Sequence, residues 1–144
     1  MKLTLIWEGT CSHFGGPDDS GVRPSEGLAL YDRDDLTTAR GRNLFLPTQP
    51  RGAAGLARRL NPDALYVACR WDYRVTGRSL LRRRMVRVSR VGHPNAVDAW
   101  PVDWGPARKT GRIVDCSPGL LRALGAVTDD VLRVELVLDG DDCP

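Results

Sequence analysis

Residues 101–125 read PVDWGPARKTGRIVDCSPGLLRALG, and this stretch decides the fold. Asp103 precedes a Trp-Gly-Pro turn, where Gly105 and Pro106 interrupt any regular strand. GRIVD has the length and apolar content of a short strand. Ser117 then serves as a helix N-cap, Pro118 suits the first helical position, and Gly125 closes the helix. Strand, turn, strand and one small capped helix follow each other with almost no spare chain.

The flanking segments carry the same signature. VLRVELVL (131–138) alternates, with Leu132, Val134, Leu136 and Leu138 inward. Upstream, KLTLIW alternates with Leu3, Leu5 and Trp7 on one face. ALYVACRWDY reads as a strand with Leu65, Val67, Cys69 and Trp71 on one face and Tyr66, Ala68 and Arg70 on the other. VTGRS reads as a hairpin-like turn, and LRRRMVRVSRV as the next strand, in which Val86 and Val88 alternate with arginines. GHPNAVDAWPVDWGP gives a turn, a strand and a turn. GLALY is read as a short strand, DRDDLTTARGR as an irregular or one-turn segment, and GLARRLN as at most two helical turns ended by Asn61-Pro62. GGPDDSGVRPSEG and FLPTQPRG are turn-rich loops. Short strands, long loops and one small late helix indicate a mainly β protein, a small β-barrel. We expect one domain over residues 1–144, with an insertion at 45–61 and an acidic, frayed tail at 139–144.

A chain of 144 residues can bury roughly 68–70% of its unfolded surface without staples. Its 42% hydrophobic and 27% charged content is ordinary for a globular domain. No run approaches the ~20 apolar residues of a membrane span. The first residues lack the apolar core of a signal peptide, so the expectation is synthesis in the cytoplasm. The net charge of +3 rests on arginine, since Lys2 and Lys109 are the only lysines. That excess is too small to argue for nucleic acid and would suit a polyanionic wall. Cys11, Cys69, Cys116 and Cys143 fit neither a zinc spacing nor a CxxC pair, and are read as buried apolar residues or free thiols. No cofactor is implied.

The run from Pro101 to Leu136 resembles the second half of the double-psi β-barrel of rare lipoprotein A and its relatives, which include the expansins and one branch of the cellulases. The residues that carry the resemblance are Asp103, Gly105 and Pro106, then Gly111, Arg112, Ile113, Val114, Asp115, Cys116 and Ser117, then Leu124 and Gly125. CSHFGG and DRDDLTTAR match the first half more loosely, so the likeness spans about Thr10 to Leu138. Phe45 to Asn61 lie outside it. The resemblance implies a six-stranded double-psi barrel acting on peptidoglycan or another polysaccharide. The reaction it implies is lytic transglycosylation: an acid protonates the glycosidic oxygen and the sugar's own hydroxyl closes on the oxocarbenium-like centre.

Carried over by position, Asp103 stands for the groove aspartate and Asp32 for the aspartate of the first half. Ala29 stands where active relatives have a glutamate, and Arg40 where they have a histidine. Glu26 lies near the missing acid. The candidate catalytic residues are therefore Asp103, Asp32 and Glu26, and the candidate ligand-binding residues are Trp104, Arg40 and Tyr73. Asp103 also has a plainer reading, as a turn-starting residue that accepts local amides. Asp115 reads as structural, holding the turn before Ser117. Asp18, Asp19 and Glu26 read as solvated loop charges. Trp71, Tyr73, Trp100 and Trp104 could offer flat faces to sugar rings, or pack the barrel ends. Two functions follow: cleavage of a cell-wall glycan, or a non-catalytic binding or structural part of a larger assembly. A phage virion is one such assembly, and would deliver a wall-type barrel without a signal peptide.

Overall fold

The computed structural model describes residues 2–37, 39 and 41–142. Its six strands are β1 (Leu3–His13), β2 (Tyr66–Cys69), β3 (Val86–Arg90), β4 (Ala96–Trp104), β5 (Val114–Cys116) and β6 (Val131–Leu138). They close into a barrel in the order β1-β5-β2-β4-β3-β6. β6 returns to β1 as a long antiparallel ladder from Leu3↔Leu138 to Thr10↔Val131. Two neighbouring pairs are parallel, β1 with β5 and β2 with β4. The mainly β, six-stranded barrel expected from sequence is thus the fold.

The alternation read in β6 holds: Leu132, Val134, Leu136 and Leu138 are all buried. The inner face joins them to Val86 and Val88 of β3 and to Cys11, Cys69 and Cys116, which are buried free thiols. Helix α2 (Pro118–Leu124) also forms as read. Ser117 Oγ accepts from Leu120 N at 3.0 Å, and Gly125 takes the left-handed conformation (φ 65°) that ends the helix.

Five segments differ from expectation. Arg78–Arg83 form a short helix, α1, and the strand begins only at Val86. The adjacent buried leucines Leu80 and Leu81 suit one helical turn, whereas strict alternation starts at Val86. β2 is limited to Tyr66–Cys69, and all four residues are buried, so its two faces are not distinguished by polarity. GLALY is no strand; Leu30 N makes a single bond to Val102 O at 3.3 Å. GLARRL is no helix, because its backbone is engaged elsewhere: Ala57 N donates to Glu26 O (3.1 Å) and Asn61 N to Leu44 O (2.8 Å). The tail is tied down as far as Asp142, whose carboxylate takes Arg84 Nη2 at 2.6 Å.

One irregularity sets the site. Pro101 has no N–H to give the ladder, and the β2/β4 register shifts there: Val67 pairs with Pro101, but Ala68 pairs with Asp103. The bulge advances β4 by one residue, so Asp103 rather than Val102 stands opposite Ala68. The carbonyl of Val102, released from the ladder, is the one that Leu30 N occupies.

Candidate functional site

Ala68 also pairs with Asp115 on β5, and Asp115 with Ser12 on β1. Ser12, Asp115, Ala68 and Asp103 therefore form one row across four strands. Paired residues share a face, and Val114 and Cys116 beside Asp115 are buried in the barrel, so this row faces outward. Neighbouring strands lie ~4.8 Å apart, which puts the backbones of the two aspartates at roughly 9–10 Å across the small Ala68.

Above the row lies an open groove of about 540 Å³. One wall is the loop from Phe14 to Glu26, which presents Asp19, Val22 and Glu26. The other runs from Trp104 to Arg112 and presents Pro106, Lys109 and Arg112. No residue of the 45–61 segment lines it.

Asp103 is held firmly. Its Oδ1 accepts from Ala29 N at 2.8 Å and from Trp104 N at 2.9 Å. Its main-chain carbonyl accepts from Trp71 Nε1 at 2.8 Å, while Trp104 Nε1 donates to Trp71 O at 3.0 Å. Trp71 is itself buried and meets Trp7 edge-on at 4.9 Å. Burial pushes the Asp103 carboxyl up to about 6, against the two N–H bonds that favour its charged form, and the charge of Glu26 adds to the rise. Since Oδ1 is already doubly engaged as an acceptor, Oδ2 is the oxygen left to carry a proton. Asp103 thus accepts local amides while its carboxyl lines the groove.

Asp115 is the residue that sequence reasoning misplaced. Its carboxyl is also raised to about 6, first by burial, then by the charge of Asp103, with Arg112 opposing and Asp19 adding. One signal was present: an aspartate between Val114 and Cys116 in a strand must point away from the side those residues bury.

The other candidates divide. Glu26 and Trp104 line the groove with Asp103. Asp32 does not. It is exposed and caps the 3-10 turn at Arg33–Asp35: Oδ1 accepts from Asp34 N at 3.0 Å, and Asp32 N donates to Asp35 Oδ2 at 2.9 Å. An aspartate two residues ahead of another acidic pair is as good an N-cap as a site residue, and the cap is what forms here. Tyr73 stands outside the lining, 41% exposed, within electrostatic reach of Asp103. Arg40 lies outside the described residues. Asp19 is the hub of its own loop, with Oδ2 accepting from Gly15 N (2.7 Å) and Oδ1 from Gly21 N (2.9 Å). Trp100 is covered by the Arg42 guanidinium at 3.9 Å from its centroid, and Trp71 is buried. Trp104, 38% exposed, is the one tryptophan on the groove. Among the described residues, no group of three or more His, Cys, Asp or Glu side chains could hold a metal ion. No helix among them is long and apolar enough to cross a membrane.

No protein-family model and no curated protein matches this chain.

Proposed function

We propose that the groove cleaves glycosidic bonds in a cell-wall glycan by a lytic-transglycosylase-like reaction, on a barrel of the double-psi type. The observation that carries this reading is Asp103: a partly buried carboxyl, raised to about 6, with one oxygen fixed by two N–H donors, in an open groove facing a second raised aspartate. The parallel pairs β1–β5 and β2–β4 support the double-psi connection. In the proposed step Asp103 Oδ2–H gives its proton to the glycosidic oxygen as the C1–O bond breaks. The positive charge that develops at C1 is met by the Asp115 and Glu26 carboxylates. A hydroxyl of the same sugar then bonds to C1, and its proton returns to the ionised Asp103, so no water is consumed. Trp104 offers an apolar face beside the reacting bond. Half-protonation near pH 6 places the reaction optimum on the mildly acidic side.

A second reading has its own observation. Ala29 gives Asp103 a backbone N–H, at a position where the resemblance implies a glutamate in catalytic members, so no second acid stands there. A barrel so altered would hold glycan without cutting it, as a part of a larger assembly such as a virion or tail. Digestion of purified peptidoglycan sacculi, with fragments read by mass spectrometry, separates the two. Anhydro-muropeptides released by the wild type and absent with Asp103→Asn support the enzyme. Retention on sacculi without release, across pH 4.5–8, supports the binding module and removes the catalytic role from Asp103.

A further inference from the structure

The 45–61 segment lies outside the barrel, outside the family resemblance and outside the groove lining, yet several of its hydrogen bonds go to one loop. Gly16 N donates to Ala57 O at 3.0 Å, Gly55 N to Pro24 O at 2.9 Å, and Ala57 N to Glu26 O at 3.1 Å. Arg58 places two donors on a single acceptor: Nε at 2.9 Å and Nη2 at 2.6 Å from Val22 O. All four partners belong to the loop that forms the groove's acidic wall. The fit leaves no slack, because a Cβ on Gly55 would sit 2.1 Å from Glu26 O. The segment is anchored in turn. Asn61 N bonds Leu44 O at 2.8 Å, and Leu56, Ala57 and Leu60 are buried in the main core.

We propose that the 45–61 segment is a positioning device for the groove, with Arg58, acting through Val22, and Gly55, acting through Pro24 and Glu26, fixing the wall that faces Asp103. Arg58 does not itself line the groove and acts through Val22, so it is a positioning residue. Val22 is buried, and with Phe14 it gives the groove its apolar lining on that side. The loop's internal bonds gather on Asp19 and shape its turn, but they do not tie the turn to the rest of the molecule; without the 45–61 contacts the wall would be freer to draw back and admit water. This proposal deepens the reading of the groove as a glycan site, on which it rests only for the reaction served.

The test reads Asp103 directly and needs no glycan, so it can fail or succeed independently of the proposed function. The Asp103 carboxyl carbon is titrated by NMR in the wild type, Arg58→Ala and Arg58→Lys, with amide exchange of residues 16–26 followed in parallel. Besides Glu26, the titratable and charged groups around Asp103 are Asp115, Asp19, His13, Lys109 and Arg112 on the groove and Tyr73 beside it; none is bonded to Arg58, and of these only Glu26 and Asp19 ride on the wall under test. We expect a wild-type midpoint near 6, and in Arg58→Ala a fall toward the ordinary aspartate value of about 3.9 as the wall loosens and water enters. Exchange at residues 16–26 should quicken together with it. Arg58→Lys keeps one donor and should fall between the two, and it carries the same test should the alanine variant not fold. A folded variant whose midpoint and 16–26 exchange both match the wild type overturns the proposal.

Discussion

The two halves of the barrel are built on different principles. On one side β4, β3, β6 and β1 form a continuous antiparallel run, with ladders as long as the eight residue pairs of β1 and β6. Its inner face is aliphatic and its outer face carries Arg87, Arg133 and Glu135 in plain alternation. On the other side β5 and β2 have three and four residues, both parallel pairs occur, and a bulge interrupts β4 at Pro101. Here side chains supply what short ladders cannot. Tyr66 Oη donates to Phe14 O at 2.6 Å, and Arg70 Nη1 bridges Pro106 O and Arg112 O, each at 2.9 Å. The antiparallel half is held by apolar burial. The groove half is held by specific hydrogen bonds, and it also carries carboxyls in environments that oppose their charge. The second arrangement costs stability, and groups with that cost are where site chemistry is concentrated.

The sharpest way to break this comparison is a truncation in the antiparallel half. Leu132 is fully buried on β6. Leu132→Ala should cost roughly 2–5 kcal/mol, the transfer free energy of the lost atoms plus that of the cavity left behind. Urea denaturation with an unchanged m-value would measure it. Because no titrating group is involved, the cost should be the same at pH 4 and pH 8. A cost that varied with pH would mean that the two halves are not separable.

A smaller effect is expected in the groove half from a polar group. Ser117 Oγ accepts from Leu120 N at 3.0 Å and from Tyr66 N at 3.3 Å, and donates to Ala64 O at 2.6 Å. It is thus more than a cap: it ties α2 to β2 and satisfies a buried carbonyl. Ser117→Ala should cost about 2 kcal/mol, combining ~1 kcal/mol for the cap with the penalty of stranding Ala64 O. A loss of only a few tenths, read from the same denaturation curves, would show that the groove half does not depend on its side-chain bonds.

How much of this could be read in advance follows the same division. The antiparallel half and α2 are legible because their signals are local. Leu132 to Leu138 alternate over seven residues, and Ser117, Pro118 and Gly125 bracket a helix by their own chemistry. Asp103 is legible because it sits in a turn with a recognisable neighbourhood. Asp115 is not, because its importance comes from sharing Ala68 as a register partner with a residue on another strand. Val114 and Cys116 beside it report which face it takes, but nothing nearby reports that shared partner. The bulge at Pro101 could have been suspected from a proline in mid-strand, but its consequence, turning Asp103 rather than Val102 outward, requires the partner strand. Asp32 fails for the opposite reason: the local chemistry of an N-cap satisfies it completely. Within the 45–61 segment GLARRLN reads as up to two helical turns, because its long-range bonds to Pro24, Val22 and Glu26 leave no trace in periodicity.

The finest test lies in the pH dependence of stability. Asp103 titrates near 3.9 in an unfolded chain and about 6 in the folded one. A raised folded value means that its contribution is fully present below about pH 4 and is lost as the pH rises through 6. The full linkage would approach 3 kcal/mol, but the group is partly solvated, so about 1–2 kcal/mol is the better expectation. Asp103→Asn keeps an Oδ1 to accept from Ala29 N and Trp104 N while removing the charge. The variant should therefore match the wild type at pH 4 and exceed it by about 1–2 kcal/mol at pH 8, with part of the gain coming from Asp115, which loses a like-charged neighbour. Thermal melts at the two pH values decide the matter. An asparagine variant that is less stable at pH 8 would mean that Asp103 is a structural anchor ionised in comfort, and that the groove has no proton to give.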